Sequence, residues 1–181
     1  VWCYVYSGLS QAEEAKLFTD FQEHRRALRI WEKFKAYTTA QRKDALDVTW
    51  AVHQAGFRLD RSASPGTITA VGALMAIYRL GGTDLVRDTL ATIRRLWTLD
   101  ASKSLSGQVM HGIAIFLHSF QNQPQFRMER LEKVLPVTAP AKLLRLAQDI
   151  ASRRQSATVG PASVGEALRD MYNRGIAPDM R

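Results

Sequence analysis

Apolar positions recur three and four residues apart along most of this chain, the period of helices that turn one face to a core. The plainest run is "TDLVRDTLATIRRLW", where Val86, Leu90, Ile93 and Trp97 keep that spacing. Ser10 and Glu13, at capping-box spacing, open a first predicted helix that ends in Arg25 and Arg26, with Ala15, Phe18 and Phe21 as its stripe. Residues 29–40 predict a second, burying Ile30, Phe34 and either Tyr37 or Trp31. Residues 43–55 predict a third, burying Leu46, Trp50 and either His53 or Val52 before Gly56 stops it. The polar stretch 58–66 ends in Ser64-Pro65-Gly66 and reads as a turn or short linker. After it, "TITAVGALMAIYRL" is apolar nearly all round, the pattern of a central buried helix, and Gly81-Gly82 breaks it. Thr83 then caps the next helix, and further helices are expected over 104–120, 126–135, 140–154 and 163–174.

One segment departs from this period. "VWCYVY" alternates as a strand, with Trp2, Tyr4 and Tyr6 on one face and Val1, Cys3 and Val5 on the other. No second segment matches it, and a lone strand cannot satisfy its own backbone groups. Its neighbours are therefore expected upstream of Val1 or on another chain. The fold class expected is mainly all-α, a bundle of about nine helices with one N-terminal β-strand left from a truncated α/β domain. Residues 1–40 would be the end of that domain, and residues 41–181 a helical domain.

Composition narrows the function. Apolar residues make up 46% of the 181, enough for a sizeable core, and no run is long enough to cross a bilayer. No charged-then-apolar leader opens the sequence. Cys3 is the one cysteine, which excludes a disulfide framework and a cysteine-rich zinc site and suggests a reducing cytoplasm. There are 25 Lys and Arg against 17 Asp and Glu, a formal charge of +8. The excess sits in residues 61–181. That balance suits a polyanion such as DNA, and equally an ordinary basic surface.

Candidate chemistry is sparse. Glu13 and Glu14 are adjacent in a first helical turn, where helix electrostatics explains them without catalysis. His111 and His118 share a helix face about 10.5 Å apart along the axis, too far to hold one metal alone. Ser64-Pro65-Gly66-Thr67 precedes a helix but lacks a P-loop lysine. Trp31, Trp50 and Trp97 fall at apolar helical positions and read as core. Arginines and lysines remain: Arg25, Arg26 and Arg29 cluster between the first two helices, with Lys33 one turn beyond Arg29. Arg87, Arg94 and Arg95 form a secondary basic face. Such groups suit phosphate oxygens, which position a duplex without reading its sequence.

Around those residues the N-terminal segment resembles a known family. "CYVYSGLSQAEEAKLF", then Gln22-x-x-Arg25-Arg26 and "IWEKFKA", is similar to the end of ParB/sulfiredoxin-like domains of phage and actinobacterial type with a helical C-terminal extension. "PGTITAVGALMAIYRLGG" and "ALRDMYNRG" resemble that group's helical region. The resemblance implies that the strand comes from the domain's sheet and that Gln22, Arg25 and Arg26 form a phosphate-facing corner. The family's upstream box is not among these residues, and Gln22 stands where the family has Asn. No catalytic residue, metal or cofactor is therefore expected in these 181 residues, while a nucleotide could be held by the longer protein. The expected function is a DNA-associated, ParB-like protein whose helical domain binds nucleic acid non-specifically through Gln22, Arg25, Arg26, Arg29 and Lys33, mediates oligomerisation, or both. Its expected partners are DNA, its own N-terminal domain or another chain at strand 1–6, and a second copy, with no membrane. The alternatives are a phage or plasmid module that docks on a host protein, and a nuclease or nucleotide hydrolase whose active site lies upstream.

Overall fold

Helical periodicity becomes eight helices in the computed structural model, which describes residues 5, 7–24, 29–97, 103–135, 140–156 and 158–174, with backbone alone over 18–24. They are α1 (Gln11–His24), α2 (Ile30–Thr39), α3 (Lys43–Gln54), α4 (Val71–Leu96), α5 (Gly107–Phe120), α6 (Met128–Val134), α7 (Pro140–Arg153) and α8 (Pro161–Asn173). Among the described residues the protein is all-α apart from two short strands, β1 (Arg58–Leu59) and β2 (Thr67–Ile68). α4 is continuous by hydrogen bonding but leaves helical geometry at Gly81 and Gly82, where Gly82 takes φ +69°. Only glycine adopts that backbone cheaply, so the expected break survives as a kink between two helical halves.

Two local expectations are corrected. The stretch read as a linker carries β1, which pairs in parallel with β2, Arg58 opposite Thr67 and Leu59 opposite Ile68. Parallel neighbours usually need a long crossover. Here the strands are two residues each, and residues 60–66 arch between them. The Asp60 carboxylate accepts the backbone N–H groups of Arg61 at 2.5 Å and Ser62 at 3.1 Å, and the Gly66 carbonyl accepts the N–H of Arg58 at 2.9 Å. As a result the fourth helix starts at Val71 rather than Thr67. Of the expected N-terminal strand, residues 1–4 and 6 lie outside the described residues, and Val5 is 87% exposed and not in a strand.

Several helices start at one end of the molecule. Trp31 Nε1 donates to the Thr69 carbonyl at 2.7 Å, and Ile30 packs on Gly72, so α2 and α4 begin together. Gly107 packs on Ala70 and Ala73, and Gly81 lies beside His118, so α5 runs parallel to α4. Gly112 packs against Val164 and the Pro161 carbonyl, while the Phe116 and Tyr172 rings meet at 5.7 Å, so α8 runs parallel to α5. α5 is the centre of the bundle, with Val109, Met110, Ile113, Phe116 and Leu117 all nearly inaccessible. Phe34 of α2 belongs to the same core, so residues on both sides of position 40 share it.

The third helix turns a different face inward from the one its bulky residues predict. Ala45, Val48, Ala51 and Val52 are fully buried, whereas Leu46 and Trp50 are 42% and 50% exposed. Small side chains let α3 lie close against α4, and that close packing outweighs the larger apolar area of Leu46 and Trp50. Ile30, also expected in the core, is 64% exposed, and Ala15 is exposed on α1.

Candidate nucleic-acid interface

Phe34 is the single fully buried side chain of α2, and it fixes the helix's rotation. Successive residues step round a helix by about 100°. Lys33 and Lys35 therefore leave on opposite flanks of the inward Phe34, while Glu32, Ala36 and Thr39 form the crest. Both lysines are exposed. On one flank a groove of about 250 Å³ separates α2 from α4, floored by Phe34, Gly72 and Met75 and edged by Lys33, Tyr37 and Arg79. On the other, a wider groove of about 640 Å³ runs between α2, α3 and the β1 arch, with Trp31, Lys35, His53 and Arg61 along it beside the carboxylates of Glu32 and Asp60. None of Lys33, Lys35, Arg61 and Arg79 closes an ion pair among the described residues, whereas the neighbouring Arg42 and Lys43 do, with Asp44 at 2.8 Å and Asp47 at 2.6 Å.

Tyr37 organises the α2/α4 side. The Arg42 guanidinium lies 3.8 Å from its ring centroid and the Lys33 ammonium 5.7 Å, a cation–π arrangement that keeps positive charge near the groove. The turn joining α2 to α3 contains Gln41 in left-handed backbone (φ +52°). Beyond it, Asp47 ties α3 to the kink of α4. Its carboxylate accepts from Lys43 Nζ at 2.6 Å and from the Tyr78 hydroxyl at 2.8 Å. Those two bonds hold its carboxyl below the usual carboxylate range, and the hydroxyl's bond to Asp47 raises Tyr78.

The expected site residues divide into three groups. Arg25, Arg26 and the Gln22 side chain lie outside the described residues. Arg29 and Lys33 sit one turn apart at the start of α2, where the Arg29 backbone N–H donates to Glu32 Oε2 at 2.8 Å. The secondary face is occupied by internal partners. Arg87 bonds Asp84 at 2.9 Å and Asp88 at 3.2 Å, Arg95 lies 3.7 Å from Glu132, and Arg94 donates to the Ala55 carbonyl at 2.7 Å while packing over Gly56. Arg94 thus closes the C-terminal end of α3, where a cation complements the helix dipole. Lys35, Arg61 and Arg79 were not singled out by sequence reasoning. Lys35 could have been found from its 100° offset to Phe34, but Arg61 and Arg79 reach α2 only through long-range packing.

Other candidates resolve into structural roles. The capping box is present: Ser10 N–H donates to Glu13 Oε2 at 2.9 Å, and that bond holds the Glu13 carboxyl below its ordinary value. Burial pushes His111 down, and His118 is exposed beside Gly81. Among the described residues no group of three or more His, Cys, Asp or Glu could hold a metal ion, and no helix is long and apolar enough to cross a membrane.

The model of a family of unknown function, DUF6551, matches residues 1–158, so the chain belongs to that family. No curated protein matches it, and no solved structure does.

Proposed function

We propose that this chain is a DNA-associated, ParB-like protein whose helical body grips the phosphate backbone non-specifically, with α2 as the contacting helix. The observation that carries the reading is the pair of cation sets on its two flanks, Lys33 with Arg79 and Lys35 with Arg61: none of the four closes an ion pair among the described residues, even though Glu32 and Asp60 line the second flank. A helix is about 10–12 Å across and the DNA major groove about 12 Å wide, so such flanks meet phosphates on both rims. The crest of Glu32, Ala36 and Thr39 offers little to base edges, which agrees with binding that ignores sequence. Arg29 extends the contact by one turn, and Gln22, Arg25 and Arg26 join it by their position just upstream. The lone Cys3 suits a reducing cytoplasm.

Anisotropy of a labelled random-sequence duplex across a salt series tests this. Affinity should fall linearly on logarithmic axes, and Lys33→Glu with Lys35→Glu should weaken every duplex alike, lowering the slope by about 0.9 per lost phosphate contact. Absent binding, or binding indifferent to salt, would overturn it.

A second reading, self-association or docking on another protein, draws on one observation: Leu46 and Trp50 stand exposed one turn apart on α3.

A further inference from the structure

Away from α2, a groove of about 490 Å³ lies between the start of α5, the middle of α7 and the segment leading into α8. Among the described residues its polar lining is Lys103, Arg145, Gln108, Gln148 and Thr158: two cations, two amides and a hydroxyl, with no carboxylate. We propose that this groove binds a phosphate-type oxyanion. The inference does not rest on the DNA reading.

Charge balance is the first argument. Lys103 and Arg145 face one groove, and neither closes an ion pair among the described residues. Nearby Glu166 is committed to Arg154 at 2.6 Å and to Arg169 at 3.4 Å. The surroundings add positive potential. α5 and α8 start beside the groove, and neither has an acidic residue in its first turn to offset the positive end of the helix dipole. Both side chains are exposed, so they can turn toward an anion held between them.

Shape and chemistry select the ligand. Gln108 is held in place by its Nε2 donating to the Val159 carbonyl at 3.1 Å. Its amide, with the Thr158 hydroxyl and the guanidinium of Arg145, gives donors suited to phosphate oxygens. The volume exceeds that of a bare phosphate, leaving room for a substituent. Lys103 sits in left-handed backbone (φ +68°), where glycine or asparagine costs less, so the side chain is what this position adds to the turn.

The test is an amide NMR titration of the whole chain with inorganic phosphate at constant ionic strength. Saturable shifts should centre on Lys103, Gln108 and Thr158, and Lys103→Gln or Arg145→Gln should each weaken binding about tenfold or more. Lys133→Gln, at an exposed lysine of α6, should leave it unchanged. Shifts that never saturate, that spread over all exposed cations, or that persist in Arg145→Gln would overturn the site. A second arm identifies the source. If the oxyanion is a nucleic-acid phosphate, Arg145→Gln also weakens duplex binding and phosphate competes with DNA. If it is a free phosphate or a small phosphorylated molecule, duplex binding is unaffected. Loss of all duplex binding with phosphate still saturating would sink the DNA reading alone.

Discussion

The α5/α8 seam and the α2 edge are built from the same helical code but to opposite ends. At the seam, Gly112 and Gly165 let two helices touch, and Phe116 meets Phe120, Phe126 and Tyr172 at ring distances of 5.1, 6.1 and 5.7 Å. At the edge, α2 is held by Phe34, by half-buried Trp31 and Tyr37, and by one hydrogen bond to Thr69, with a groove on each side. Dense packing spends side chains on one another, whereas a loosely seated helix leaves its cations facing water and available to a partner. Stability should therefore be concentrated at the seam and binding at the edge.

The largest test of that separation is Phe116→Ala. Removing a fully buried ring should cost about 3–5 kcal/mol and lower Tm by roughly 10 °C or more. Duplex affinity per folded molecule should stay the same. A large change in affinity with no loss of stability would reverse the assignment of roles. Gly112→Ala comes next. A Cβ there meets the Val164 side chain and, at 3.0 Å, the Pro161 carbonyl, so the helices must separate, at about 1–3 kcal/mol measured by urea unfolding. A neutral result would mean that the seam is looser than its glycines imply.

Much of the packed body was legible, because its signals are local. Val86, Leu90 and Ile93 are buried as their spacing predicts, the Gly81-Gly82 break is real, and α7 starts at Pro140 as expected. The edge was not, for physical reasons. α3 offers two apolar faces, and bulk favours Leu46 and Trp50, but only the small face allows close approach to α4. β1 and β2 are too short to show a period, and they exist because a seven-residue arch folds back on itself. Of the candidate site, Arg29 and Lys33 were visible as charges on α2. Their companions Arg61 and Arg79 come from elements 28 and 46 residues beyond Lys33, and no local pattern ties them together.

A smaller effect should appear in acid. Asp47 joins α3 to the kink of α4, and Lys43 and Tyr78 hold its carboxyl below the usual range near 3.9. A carboxyl depressed in the folded state adds stability that is complete above the unfolded value and lost as pH falls through the folded one. Tm should therefore drop below about pH 4, and Asp47→Asn should remove that part of the drop. An identical acid limb in the variant would show that Asp47 does not couple the two helices.

The smallest effect expected on stability is at Leu46 and Trp50, and it is the most informative about the edge. Both are large and apolar, and on area alone each would contribute to a core. Exposed at 42% and 50%, each leaves about half of its surface in water, so Leu46→Gln with Trp50→Gln should change unfolding free energy by no more than about 1 kcal/mol in dilute solution. Repeating the measurement across a hundredfold range of protein concentration sharpens the contrast. If stability rises with concentration in the native chain but not in the variant, and sedimentation shows a native dimer, α3 is covered by a second copy and the edge serves association as well as phosphate. If neither depends on concentration, the stripe is an open surface and α2 alone carries the edge's role. A loss of more than about 1 kcal/mol at every concentration would mean the two side chains are packed within the chain, and the division between a stabilising seam and a binding edge would fail at α3.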